Sequence, residues 1–459
     1  MYEIDFTHPG KIHFIGIGGI SMSGFAELLH SMGFTITGSD WHESKITKHL
    51  ESLGIQVVYG QKEENITKDI DLVVYTAAVK KTNPEYQAAE KLNLPLMERA
   101  VMVGQVMKNY SSAIAIAGTH GKTTTTSIAS HIFLAANLDP TISVGGILEA
   151  IGGNIRIGHS KHFITEACEY TNSFLHFFPT VGMILNIEED HLDFFKDIDD
   201  IRHSFRKFAE LLPADGALII NADTPKYEMV AENLPCKVIT YGLEHDAEYT
   251  ASDITYDEFG HPTFHVLHNG EDIGTCSLKV PGIHNVSNAL ASIAAGRLLG
   301  LDNEVIFAGL KDFGGTDRRF QYKGKVGEVT IIDDYAHHPT EIEATLHAAH
   351  NYPHKKIWCV FQPHTYTRTK ALLPEFAKAL TLADHVVLAD IYAARETDNL
   401  GISSADLQKH IRELGTPCEY FPTFDEIENF LLENCTQGDL LITMGAGDVV
   451  NIGEQLLGK

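Results

Sequence analysis

Gly118-Thr119-His120-Gly121-Lys122-Thr123-Thr124 follows the apolar run Ala113 to Ala117 and precedes a helical pattern at Ile128, Ile132, Phe133 and Ala136. In a glycine loop of this kind, backbone N–H groups face phosphate oxygens and the helix N-terminus adds partial positive charge. Lys122 would reach the terminal phosphates and Thr123 would hold Mg²⁺. The loop departs from the general G-x-x-x-x-G-K-[ST] pattern, whose first glycine would fall at Ile116. A strand-to-helix turn rich in Thr for structural reasons is the plain alternative. The spacing predicts ATP as the ligand.

Other clusters stand at expected strand ends. Gly16-Ile17-Gly18-Gly19-Ile20-Ser21 opens a helix with an apolar face at Met22, Phe25, Ala26 and Leu29, closed by Gly33, and Asp40 ends the next strand. Ser21 replaces the third glycine of a dinucleotide fingerprint, so a nicotinamide dinucleotide and the diphosphate of another nucleotide both fit. Glu166, after Phe163-Ile164, and His191, after Val181–Leu185, are candidates to complete a Mg²⁺ site with Thr123. Glu188, Glu189, Asp190 and Asp193 are expected to form a solvated helix start. Asn285 and Asn288 fall three apart on one helical face, where their amides could read a base edge or cap the helix. Asp317-Arg318-Arg319-Phe320 offers a guanidinium to a triphosphate. Asp333-Asp334-Tyr335-Ala336-His337-His338-Pro339, Phe361-Gln362-Pro363-His364 with Arg368, and Asp390 to Arg395 end three successive strands. Arg368 and Arg395 could hold a carboxylate, and His337 or His364 could assist an amine.

Strands alternating with helical segments are needed to position these clusters, so the expected fold is α/β. The 459 residues suit three domains, set at 1–109, 110–315 and 316–459, with linkers near 108–112 and 311–315. Short turn-punctuated strands from Tyr249 to Val280 predict a small antiparallel appendage on the central domain. The chain is 44% hydrophobic and 21% charged, with no apolar run long enough to span a bilayer and no basic leader. A formal charge of −26 argues against nucleic-acid partners. Six cysteines without a C-x-x-C pair suit buried thiols in the cytoplasm.

Together these motifs closely resemble the Mur ligases of bacterial cell-wall synthesis. The carriers are Gly16 to Gly19 with Met22, Gly38-Ser39-Asp40, Gly118 to Thr124, Glu166, Asn186 to His191, His284-Asn285 with Asn288, Arg318-Arg319-Phe320, Asp333 to Pro339 and Phe361 to His364. The resemblance covers almost the whole chain and is nearest to the branch that joins L-alanine to UDP-N-acetylmuramate. It implies a Rossmann-like domain for the UDP-sugar, a central phosphate-loop ATPase with an antiparallel appendage, and a Rossmann-like carboxy-terminal domain for the amino acid. By resemblance, Gly16, Gly18, Gly19, Ser39 and Asp40, with His364 and Arg368, bind the UDP-sugar. ATP would meet Gly118, Thr119, His120, Gly121, Lys122, Thr123, Thr124, Asn285, Asn288, Arg319 and Asp334. Mg²⁺ would be held by Thr123, Glu166 and His191, and catalysis would fall to Lys122, Glu166, His191, His337 and Arg319. Many members read Glu-Ala-Asp-Glu-Ser-Asp where this chain has Glu166-Ala167-Cys168-Glu169-Tyr170-Thr171, and an arginine where it has Thr365. Two rival activities share the motifs: addition of a recycled tripeptide to the same sugar nucleotide, and NAD-dependent oxidoreduction through the amino-terminal glycine turn alone.

Overall fold

The computed structural model describes residues 2–394 and 396–459, which form three sheets flanked by helices. Arg395 lies outside the described residues. The first sheet is parallel and five-stranded, in the order Gln56–Tyr59, Thr35–Asp40, Lys11–Ile15, Leu72–Tyr75 and Leu96–Glu98. The order of successive strands reverses between Lys11–Ile15 and Leu72–Tyr75, which opens a crevice at their carboxyl ends. The helix Ile20–Ser31 starts at that crevice and buries Met22, Phe25, Ala26 and Leu29, the face its spacing requires.

Ten strands make the second sheet. At its centre Ser112–Ala117 runs parallel to both Val181–Ile184 and His162–Ala167, pairing Ala117 with Ile184 and with Ala167. All six residues of Ser112–Ala117 are buried, as a strand covered by helices on both faces must be. The appendage is three antiparallel strands, Tyr249–Tyr256, Pro262–His268 and Glu271–Ser277, joined to the parallel part through Tyr241 and Tyr249. Phe264, Val266 and Cys276 turn inward onto the Ile283–Leu298 side of the same core. The third sheet orders Gln321–Val326, Val329–Asp334, Leu440–Met444, Ile357–Phe361, His385–Leu388 and Cys418–Tyr420, parallel except for its first strand.

These registers align the strand ends that carry chemistry. Glu166 stands beside Ile116, and both Asp334 and Phe361 pair with Met444. Among the described residues, no helix is long and apolar enough to cross a membrane.

Candidate active site

The turn after Ser112–Ala117 is built on two glycines with left-handed backbone. Gly118 has φ +151° and Gly121 has φ +81°, and Gly121 caps the helix Lys122–Ala135 without a side-chain hydrogen bond. The first-turn N–H groups are therefore directed into the loop rather than onto a capping side chain. A Cβ on Gly121 would lie 3.0 Å from Asn288 Oδ1, so the loop and the Ile283–Leu298 helix touch where a side chain has no room. Lys122 folds over the loop, donating to the carbonyls of Gly118 and Thr119 and, at 3.0 Å, to Glu169 Oε2. Burial opposes the ammonium charge, but Glu169 outweighs it and raises the Lys122 pKa.

Beside the lysine lies a set of oxygen donors. Thr123 is buried in the first helical turn, and a Cβ on Gly146 would reach its methyl group at 3.2 Å. Glu166 Oε1 accepts from Gly145 N at 2.5 Å. Glu169 is 2% exposed and its Oε1 has no hydrogen-bond partner, although His191 Nε2 lies 3.6 Å away. Hydroxyl and carboxylate oxygens, one of them buried and unsatisfied, fit a hard divalent cation such as Mg²⁺. His191 has φ +54° and packs on Tyr170 with ring centroids 4.5 Å apart. Burial pulls its pKa down, so it is a neutral imidazole beside that set.

The central and carboxy-terminal domains enclose a cleft of about 850 Å³. Its walls include His120, Gly121, Thr124, Asn285, Asn288, Arg319 and Asp334, so seven residues expected around ATP share one cavity. Val280, Phe313 and Phe320 give it an apolar side. Asn285 Nδ2 donates to Pro281 O at 2.8 Å, and Asn288 Nδ2 to Asn285 Oδ1 at 3.1 Å. Neither amide caps the helix; both are buried in the cleft wall.

The two adjacent arginines diverge. Arg318, at φ +60°, donates to Asp333 Oδ2 and to the carbonyls of Gly445 and Gly447, and thus ties the third domain together. Arg319 lies 5.0 Å over the Tyr335 ring and faces the cleft. Asp334 accepts from Phe320 N and Ala336 N, both at 2.8 Å, and burial raises its pKa to about 6 despite Arg319.

A second cleft, of about 740 Å³, lies between the same two domains. Tyr170, Asp190 and His191 meet His364 and Arg368 across it. Arg368 forks onto Asp190, with Nε 3.0 Å from Oδ1 and Nη2 3.4 Å from Oδ2. His337 packs edge-on to His364 with centroids 5.8 Å apart, and its Nδ1 is 3.0 Å from Tyr335 O. Burial lowers the His337 pKa to about 3, so the ring is neutral, with Nδ1–H donating to Tyr335 and a lone pair on Nε2.

The amino-terminal crevice of about 1290 Å³ is lined by Gly16, Gly18, Gly19 and Asp40. Asp40 Oδ2 accepts from Gly18 N at 2.8 Å, so the acid braces the glycine turn directly. Ser39 is not on this surface: it is fully buried and donates to Glu85 Oε2 at 2.6 Å. His364 and Arg368, grouped with the same ligand in the sequence, stand instead at the second cleft.

The expectation for the acidic segment is also overturned. Residues 186–193 start no helix; the next one is Ile198–Ala209, capped by Asp197. The segment is drawn into the domain interface, where Asp190 is buried on Arg368 and Glu188 Oε2 accepts from Thr340 Oγ1 at 2.6 Å. Sequence reasoning also missed Glu341, which lies 3.2 Å from His120 Nδ1 and accepts from His337 N. Burial opposes the Glu341 charge, yet His337 and His120 hold its carboxyl well below the usual range. Its position in the first turn after Pro339 was the available signal.

A phosphate loop, an oxygen-donor set and two interdomain clefts on a three-domain α/β frame define an ATP-dependent ligase. The chain belongs to the Mur ligase family: residues 11–111 match the Mur ligase family catalytic domain, 116–296 the Mur ligase middle domain, and 318–447 the Mur ligase glutamate ligase domain. It is 60% identical over 459 residues, all of both chains, to the UDP-N-acetylmuramate–L-alanine ligase of Agathobacter rectalis. A crystal structure of the UDP-N-acetylmuramate–alanine ligase of Thermotoga maritima matches with a TM-score of 0.83 at 30% identity, covering 98% of each chain. The murein peptide ligase of Psychrobacter arcticus matches at 0.72 and 25%, also over 98% of each.

Proposed function

We propose that this protein joins L-alanine to the carboxylate of UDP-N-acetylmuramate in the cytoplasm, converting ATP to ADP and phosphate, as a step of peptidoglycan precursor synthesis. The observation that carries this reading is full-length 60% identity to a relative of that name. The geometry of the two interdomain clefts is consistent with it.

The sugar-nucleotide carboxylate attacks the γ-phosphoryl group to give an acyl phosphate and ADP. The amine of L-alanine then attacks the acyl carbon, and the tetrahedral intermediate expels phosphate to leave an amide. Lys122 exchanges its loop carbonyls for phosphate oxygens and balances their developing charge. Arg319 faces the same cleft and adds a second cation. Thr123, Glu166 and Glu169, with His191 beside them, would hold Mg²⁺, which would supply charge neutralisation at the phosphoryl oxygens. His337 accepts the amine proton at Nε2, and Arg368 and His364 orient the substrates. Asn285 and Asn288 present amides to the adenine, Asp334 and the loop residues Thr119, His120 and Thr124 complete the nucleotide site, and Gly16, Gly18, Gly19 and Asp40 seat the uridine diphosphate. Closure of the clefts excludes water that would hydrolyse the acyl phosphate.

Phosphate release from ATP and Mg²⁺ with UDP-N-acetylmuramate tests the reading, with L-alanine, the L-alanyl tripeptide or no amine as third reactant. Release that depends on L-alanine, with a product heavier by one alanyl residue, is the expected result. Release only with the tripeptide would reassign the chain to peptide recycling, and none with either would remove the proposed activity.

A further inference from the structure

The phosphate loop has a second functional face, turned from Lys122 towards the carboxy-terminal domain. His120 Nδ1 lies 3.2 Å from Glu341 Oε1, and its Nε2 lies 3.4 Å from Glu188 Oε2. The second approach is not aligned as a hydrogen bond, which leaves Nε2 a buried nitrogen without a hydrogen-bond partner. The His338 ring stands 4.6 Å from the His120 ring, centroid to centroid. One ligand atom each from His120, Glu188 and His338 lies within 4.8 Å of the other two.

We propose that His120, Glu188 and His338 bind one divalent cation of the zinc class, at a site separate from the oxygen donors Thr123, Glu166 and Glu169. Two imidazole nitrogens and one carboxylate, with a fourth position open to a cleft, are a ligand set that zinc takes. Bonds of about 2.0–2.2 Å set tetrahedral donors roughly 3.4 Å apart. His120 Nε2 and Glu188 Oε2 already have that separation. Magnesium prefers six oxygens in octahedral array, so it is a poor competitor here.

The surroundings orient the ligands. Burial opposes a charge on His120, but Glu341, which faces Nδ1, and Glu188 raise the pKa of the ring to about 10, so Nε2 gives up a proton when it takes the cation. Thr340 Oγ1 donates to Glu188 and fixes its carboxylate. His338 Nε2 lies 3.1 Å from Glu189 O and donates to it, which leaves the lone pair on Nδ1; that lone pair accepts a long 3.4 Å hydrogen bond from Thr340 N as the helix N-cap, and ligation would exchange this bond for the cation. The carboxylates of Glu188 and Glu341 offset the charge of a dication. Because His120 and Glu188 belong to the central domain and His338 to the carboxy-terminal one, a bound cation ties the two together along the nucleotide cleft and opposes nucleotide exchange.

The test is direct metal binding to chelator-treated full-length protein, with Zn²⁺ titrated by calorimetry in excess Mg²⁺ and Co²⁺ followed by absorption. One Zn²⁺ per chain, and Co²⁺ bands of a tetrahedral nitrogen–oxygen site without thiolate charge transfer, are expected. Loss of outer partners alone lowers affinity about 10–100-fold, so Glu188→Gln and His338→Asn should each lose at least as much. Asn keeps a helix-capping acceptor and Gln keeps an acceptor for Thr340, and circular dichroism checks that both variants are folded; should either unfold, His120→Gln replaces it. Cys168→Ser should bind as the parent does. No stoichiometric Zn²⁺, unchanged affinity in the folded variants, or a thiolate band that vanishes in Cys168→Ser would overturn the site.

Discussion

Lys122 and Asp334, both proposed to face the nucleotide, differ in how burial and neighbours set their charge. Lys122 is stabilised in its charged form by Glu169, a carboxylate 3% exposed at its side chain. Removing the ammonium therefore abolishes phosphate chemistry and also strands a buried anion, a loss of roughly 3–5 kcal/mol for a broken buried pair. Lys122→Met is expected to be inactive and to melt earlier, while Lys122→Met with Glu169→Gln regains much of the melting temperature and none of the turnover; recovery of turnover would remove Lys122 from the reaction. Asp334 is the reverse case, an acid whose ionisation is penalised by burial despite Arg319. Its folded pKa of about 6 exceeds the unfolded value of 3.8, so its contribution to stability is complete below pH 3.8 and lost as pH rises through 6. That loss is of the order of 3 kcal/mol. Asp334→Asn forfeits one of two backbone hydrogen bonds at every pH, but its stability relative to the parent should improve between pH 4.5 and 7.5. Parallel denaturation profiles across that range would disprove the shift.

At the scale of elements, the carboxyl ends of three central strands do the positioning, and Gly145, within Thr141–Leu148, governs Glu166. A Cβ on Gly145 would lie 2.8 Å from Glu166 Oε2 and 2.9 Å from Oε1. Gly145→Ala is therefore expected to displace the carboxylate and raise the Mg²⁺ concentration for half-maximal activity several-fold, with the melting temperature little changed. An unaltered Mg²⁺ dependence would mean that Glu166 does not face the metal. Such contacts explain what the sequence could disclose. The buried run Ser112–Ala117 was legible as a short, almost continuous apolar stretch that ends in a glycine loop, and the apolar face of Ile20–Ser31 because its burial follows the period of a helix. The segment 186–193 was not, because its acids resemble a helix start and their true partners, Arg368 and Thr340, lie 178 and 152 residues away. Ser39 misled for the same reason: a serine beside a glycine turn gives no sign that Glu85 has claimed its hydroxyl. The short strands Leu96–Glu98 and Cys418–Tyr420 carry too few residues for any period to emerge.

Across the whole molecule, the interface between the central and carboxy-terminal domains is polar. Glu188 meets Thr340, His120 meets Glu341, the Glu189 carbonyl meets His338 and Asp190 meets Arg368. An interface of ion pairs and hydrogen bonds opens at less expense than an apolar one, which suits domains that must part to admit three substrates and close to exclude water. The amino-terminal domain is joined differently: the helix Arg99–Met107 packs so closely on residues 170–176 that a Cβ on Gly104 would strike the His176 carbonyl. Opening is thus expected to occur mainly at the carboxy-terminal domain, with Arg368 as its strongest tie. Asp190 is held ionised by that guanidinium, against burial, and Arg368→Met leaves it uncompensated. Small-angle scattering of Arg368→Met should show a larger radius of gyration than the parent, contracting less when ATP and the sugar nucleotide are added. Adding Asp190→Asn should recover melting temperature without recovering contraction, since it removes the stranded charge but not the missing link. If both variants scatter like the parent in every ligand state, the Asp190–Arg368 pair does not hold the domains closed, and control of opening passes to the His120–Glu341 contact.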